Sequence, residues 1–379
     1  MRKRNWRKVI SVALAVGMSL SLAACGKTAG SSGTGAGTGA ETGTGTEAGG
    51  DTKAAAGTDG TTAADTKAGA GSKVTLTNVS YDPTREFYVA YNELFEKYYK
   101  DTYGVDVDVV QSHGGSGSQA RSVIEGASHV VTLALAHDIT LVENAGLIDS
   151  GWIDEFKGNS SPYTSTIVFL VRKGNEKNIK DWPDLLKEGV EVITPDPKSS
   201  GGACWNFLAA WQYANTAFKG DEAQMKQFVS DLYKNVGVMD SGARGATTTF
   251  VENGQGDVLI AWENEAITTV EQRPDDFELI TPSISILAEP SVAIVDENAK
   301  KNGTEDVAKA YLEYLYTPEA QKVIGEYGYR PSDPEVLKQY SDKFDLNVNL
   351  CNINDFGGWD AAYDKFFVDG GIFDEIYGN

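Results

Sequence analysis

The chain has 379 residues, with 33 lysines and arginines against 54 aspartates and glutamates, a formal net charge of −21 and a sequence pI near 4.6. Such acidity argues against nucleic acid and against electrostatic docking on anionic lipid, and it gives no general attraction for anions. Three cysteines without a Cys-x-x-Cys, and three histidines (His113, His129, His137) without zinc-like spacing, suggest neither a metal centre nor a cofactor.

Arg2, Lys3, Arg4, Arg7 and Lys8 precede an apolar run from Val9 to Leu22, followed by Ala23, Ala24 and Cys25. A basic start, a short apolar stretch and small residues predict a secretory signal over 1–24 rather than a spanning helix. Leu22-Ala23-Ala24-Cys25 resembles the lipobox of bacterial lipoproteins, which implies lipidation of Cys25 and attachment to a membrane outside the cytoplasm. The plainer alternative is an ordinary signal with an incidental cysteine. Residues 25–72 are mostly Gly, Thr, Ala and Ser with no aromatic, a composition that cannot repay its ordering entropy and so predicts a flexible tether. Gly26-Lys27-Thr28 lacks the upstream glycine of a phosphate-binding P-loop.

The body, 73–379, is longer than one core comfortably fills, so two lobes are expected. Val74 to Val79 alternates as a strand. Asp82-Pro83 reads as N-cap and first residue of a helix whose stripe is Phe87, Tyr91, Leu94, Phe95 and Tyr98. Val105–Val110 is a strand, Gln119–Glu125 a helix, and Val130–Leu135 and Thr166–Val171 are buried strands. Asp181–Lys187 is helical, Val190–Ile193 a strand, and Trp205–Tyr213 a helix with Trp205, Phe207 and Trp211 on its apolar face. Phe228–Tyr233 and Thr248–Glu252 are helical. Val258–Trp262, Phe277–Ile280 and Ser291–Val295 are strands, and the rest is mostly helix. Repeated strand–loop–helix units predict an α/β fold with sheets covered on both faces and a ligand beyond the strand ends.

Three Gly/Ser loops stand where such a ligand would sit: 113–119 (HGGSGSQ), 198–203 (KSSGGA) and 241–246 (SGARGA), the first two directly after strands. Glycine lets backbone approach a ligand, and the first turn of a helix offers unpaired N–H groups and a positive dipole end. Together they could surround a small oxyanion. Alone, each loop is as well read as a turn, Ser200 as a helix cap, Trp262 as core, and His113 as a hydrogen-bonded neighbour of its loop. Arg244 is at least as suited to an ion pair with an acid as to the anion.

Asn78-Val-Ser-Tyr-Asp-Pro-Thr-Arg-Glu86, Gln111-Ser-His-Gly-Gly-Ser-Gly117, Val192-Ile-Thr-Pro195, Ser199-Ser-Gly-Gly-Ala203 and Asp257-Val-Leu-Ile-Ala-Trp-Glu-Asn-Glu265 resemble the sulfate/thiosulfate-binding proteins of bacterial ABC transporters, in the same order and across the whole body. The resemblance implies a two-lobed periplasmic binding protein fold of type II, with lobe 1 over 73–160 and 265–379 and lobe 2 over 161–264. It implies a sulfate or thiosulfate ligand held in the cleft by Ser116, Ser200, Gly201, Gly202, Ala243 and Trp262. It also implies a monomer that delivers its ligand to the permease subunits and is not an enzyme. One departure stands out: Cys204 occupies the place where the family usually has an arginine supporting the binding loop.

A pocket of donors suits sulfate, which carries no proton at neutral pH, over phosphate, whose hydroxyl would lack an acceptor. An unsatisfied group costs about 1–3 kcal/mol, roughly five- to 150-fold in affinity. Asp82 or Glu86, if either lined the pocket, could supply that acceptor, although Asp82 reads more simply as a helix N-cap and Glu86 as a first-turn acid. Phosphate or molybdate as the cargo, an extracellular ester hydrolase and a tethered adhesin are the competing readings. The hydrolase lacks a visible nucleophile–base pair. Cys204 and Cys351 could pair in an oxidising compartment, which sequence leaves open.

Overall fold

The computed structural model describes residues 73–126 and 128–378. The expected signal, Cys25 and the tether lie outside them. Among the described residues thirteen strands run in chain order: β1 (Lys73–Tyr81), β2 (Asp106–Gly114), β3 (Val130–Leu133), β4 (Tyr163–Thr164), β5 (Ile167–Arg172), β6 (Val192–Pro195), β7 (Val236–Asp240), β8 (Val258–Trp262), β9 (Phe277–Ile280), β10 (Ile284–Ile286), β11 (Ser291–Ile294), β12 (Arg330–Pro331) and β13 (Asn349–Cys351). One sheet has the order β11-β3-β1-β2, with β11 antiparallel and the others parallel. A second has the order β7-β6-β8-β5-β9, with β5 antiparallel to both its neighbours. Two short pairs, β10-β13 and β12-β4, complete the set.

The helices that bear on function are α1 (Arg85–Tyr103), α2 (Ser116–Glu125), α3 (Ala136–Asn144), the distorted turn α4 (Lys157–Ser160), α5 (Gly201–Ala217), α6 (Glu222–Lys234), α7 (Ala243–Val251) and α8 (Glu263–Gln272). Strands β3, β6 and β8 are buried along their whole length, as apolar runs sandwiched between helices must be. The expected stripe of α1 packs as an aromatic cluster in which Tyr91 and Phe95 meet Tyr311, each at 5.0 Å between ring centres. Near the C-terminus, Trp359–Phe366 packs on α5, with Trp205 edge-on to Trp359 at 4.6 Å, and reaches α3 through stacked His137 and Tyr363 at 3.8 Å.

Four findings differ from the sequence reading. Asp82 is not an N-cap: Tyr81 holds that place without a side-chain bond, and Asp82 opens a 3₁₀ turn, Asp82–Thr84, before α1. Helices α2, α5 and α7 begin at Ser116, Gly201 and Ala243, inside the Gly/Ser stretches rather than after them. Strand β7 precedes the third stretch, so all three loops follow strands. Finally, β9, which falls inside the range 265–379 expected in lobe 1, pairs with β5 in the five-stranded sheet. Cys204 and Cys351 are both buried free thiols.

Candidate functional site

The first turns of α2, α5 and α7 meet. A β-carbon placed on Gly115, the N-cap of α2, would lie 2.5 Å from the Ser199 carbonyl oxygen and 3.2 Å from that of Ser241. One on Gly201 would lie 2.9 Å from the Ser116 β-carbon, and one on Gly242 would lie 2.6 Å from Asp82 Oδ2. Ser199 Oγ donates to the Ser241 carbonyl at 2.9 Å, tying the second loop to the third. Only residues without side chains allow backbones this close. Elements of the four-stranded sheet (α2) and of the five-stranded sheet (α5, α7) thus face one another over a narrow, tightly closed hollow. Asp82, Gly115, Ser116, Ser200, Gly202 and Ala243 are among its lining residues.

Each expected residue has a definite place. Ser116, Ser200, Gly202 and Ala243 line the hollow, and Gly201 packs beside Ser116 and Leu135. Ser200 is also the N-cap of α5, accepting the Ala203 N–H at 3.4 Å, which leaves its hydroxyl proton to give. Trp262 stands behind Gly202. Its buried indole N–H donates to the Gly202 carbonyl at 3.2 Å, and its ring lies 5.3 Å from Tyr81. The following residue, Glu263, opens α8 and forms a buried two-pronged pair with Arg330 at 2.6 and 2.8 Å. The Ser116 hydroxyl accepts the Ala134 N–H at 3.0 Å and donates to Asp138 at 2.5 Å.

The positive charge facing the hollow comes from backbone. Three helix N-termini each carry roughly +0.5 charge, about +1.5 in all. Arg244, one residue beyond Ala243, pairs with Glu86 of α1 at 2.5 Å instead of entering the hollow. Burial raises Asp82, while Arg85 (3.6 Å away) and Arg244 pull it back down. His113 is held down to about 4 by burial, with Arg85 and Arg244 adding to the effect, and its Nε2 is buried without a partner. Burial lifts Glu265 to about 7 against the pull of Arg244. Cys204, buried in the first turns of α5, donates its thiol to the Pro197 carbonyl at 3.4 Å and so braces the second loop from behind.

Sequence reasoning missed Asp138, because a contact across 22 residues between two helices leaves no local signal. It weighed Asp82 only as a complication, and the fold puts that residue on the wall.

A hollow between two helix-covered sheets, ringed by helix N-termini, defines an α/β solute-binding protein. Residues 76–330 match the bacterial extracellular solute-binding protein family, and the chain belongs to it. It is 56% identical over 306 residues to the sulfate-binding protein of Escherichia coli K12, covering 80% of this chain and 93% of that one. It is 46% identical over 306 residues to the thiosulfate-binding protein of Pseudomonas aeruginosa, covering 80% and 92%. The sulfate-binding protein SubI from Mycobacterium tuberculosis H37Rv superposes with a TM-score of 0.70 at 34% identity, covering 78% of this chain and 99% of SubI.

Proposed function

We propose that this chain captures sulfate, with thiosulfate as the related cargo, and delivers it to the permease of an ABC transporter. Two features support the reading: three helix N-termini converge on one hollow, and the nearby cation Arg244 is engaged by Glu86. The relatives named for sulfate and thiosulfate point the same way. In this reading the dianion accepts backbone N–H groups at Ser116, Gly201, Gly202 and Ala243. The Ser200 hydroxyl and the Trp262 indole, which exchanges the Gly202 carbonyl for the ion, complete the shell. Charge-assisted bonds to fixed dipoles replace a buried counter-cation, whose desolvation would cost several kcal/mol. The two sheets act as lobes that close over the ion, with lobe 2 extended through β9. The protein binds and releases without chemistry. Cys25 carries a lipid and 25–72 spaces the monomeric body from the membrane.

Asp82 favours a second reading, phosphate, because it lines the hollow and could accept a proton from HPO₄²⁻. Its carboxylate faces Gly242, with Arg85 3.6 Å away, and these neighbours direct it away from that role. Titration calorimetry with sulfate, thiosulfate, phosphate and molybdate tests both readings. Sulfate or thiosulfate should bind in preference, whereas a preference for phosphate, or no binding of any, would overturn the proposal. Anchoring is tested separately: Cys25→Ser should release the protein from the membrane fraction.

A further inference from the structure

Behind Ser116 lies a carboxyl that the sulfate reading does not use. Asp138, in the first turn of α3, is 3% exposed and accepts the Ser116 hydroxyl at 2.5 Å. Ser116 itself opens α2 and lines the hollow. The groups facing Asp138 come from three other elements: Ser116 and Arg121 on α2, Cys204 on α5, and Tyr363 on the helix Trp359–Phe366. Next to it in sequence is His137, which burial holds down in pKa and which stacks on Tyr363. Arg121 and Asp138 approach Gly117 together, with Nη1 3.7 Å and Oδ1 3.6 Å from a β-carbon placed there, yet they form no ion pair among the described residues. Where the family resemblance expects an arginine, the neighbour is Cys204, whose thiol is kept neutral by burial and by Asp138.

A dianion resting on the N-terminus of α2 would be separated from this carboxylate by little more than one serine side chain. Two negative charges at such range, shielded from water and with no paired cation between them, repel strongly. We infer that Asp138 takes up a proton when the cleft captures sulfate, which ties affinity to pH. The inference rests on the sulfate reading. Burial already lifts Asp138 to about 6, against the opposing pull of Ser116 and Arg121. A bound dianion lifts it further. Affinity is therefore highest below about pH 6, where Asp138 is protonated with or without ligand. It falls by up to about tenfold per pH unit above that, and levels off once the bound form also ionises.

Glu265, which faces Arg244, Thr247, Asp82 and Glu86, titrates in the same range and must be separated from Asp138. The test is sulfate calorimetry on the full chain between pH 5.5 and 8, in buffers of differing ionisation heat, which counts protons taken up per ion. Wild type should take up a proton as the pH passes above 6, with affinity falling in step. Asp138→Asn, whose side-chain carbonyl can still accept the Ser116 bond, should bind with a flat profile and no uptake, while Glu265→Gln should keep the wild-type slope. Sulfate binding without proton uptake would overturn the inference, as would uptake that persists in Asp138→Asn or disappears in Glu265→Gln. Absence of sulfate binding at every pH would overturn the function itself.

Discussion

Gly115→Ala is the sharpest probe of the closed site. The added β-carbon would lie 2.5 Å from the Ser199 carbonyl oxygen, half an ångström inside the 3.0 Å limit that real β-carbons respect, and 3.2 Å from the Ser241 oxygen. Both obstacles are backbone, in loops fastened to each other by the Ser199 hydroxyl, so neither can rotate away. The first loop must withdraw from the second and third, pulling the α2 N–H groups off the ligand. Losing one hydrogen bond to a charged group costs about 1.5–3 kcal/mol, or roughly ten- to 150-fold in affinity. Gly117→Ala is the matched control, since its β-carbon would meet nothing nearer than Asp138 Oδ1 at 3.6 Å. Sulfate calorimetry on both variants, with thermal melting of the ligand-free forms, reads the effect. The clash is between elements of different sheets, so the ligand-free melt of Gly115→Ala should change little. Affinity within twofold of wild type in Gly115→Ala would refute the convergence of the loops.

Other outcomes follow from the same geometry. Trp262→Phe keeps the ring against Tyr81 but removes a donor, and should weaken sulfate binding about ten- to 150-fold by calorimetry. Arg330→Leu leaves Glu263 buried without its partner and should lower stability in denaturant titrations by about 3–5 kcal/mol. Glu265 ionises less readily folded than unfolded, so its penalty is absent below pH 4.5 and grows as the pH rises through 7. Glu265→Gln should therefore be more stable than wild type at pH 8, by roughly 3 kcal/mol, and the gain should vanish near pH 4.5. Arg244→Ala breaks an exposed pair and should cost no more than about 1 kcal/mol in the same titration.

Most strands were legible because apolar runs such as Val258–Trp262 have one simple reading, and the three loops because glycine and serine clustered between strand and helix signals. The helix starts were less legible. Gly201 and Gly202 are poor helix formers, and their helical state comes from burial of the whole first turn of α5 between the two sheets. Strand β7 was missed because Val236-Gly-Val-Met-Asp240 is a short edge strand interrupted by Gly237. Asp82 carries the composition of a cap, but its carboxylate lies against Gly242 and Arg85, and such pulls are invisible locally. The same holds for Arg244 and Glu86, partners across 158 positions. The alternative of an ion pair could be named from sequence, but the acid could not. Asp138 had no sequence signal, because its partner Ser116 lies 22 residues away on another helix.

The measurement that bears most directly on the account is a crystal structure of the body with sulfate bound. The ion should lie in the hollow, accepting N–H groups from the starts of α2, α5 and α7 with no lysine or arginine side chain touching it. Sulfate found elsewhere, or gripped chiefly by Arg85, Arg244 or another cationic side chain, would contradict it.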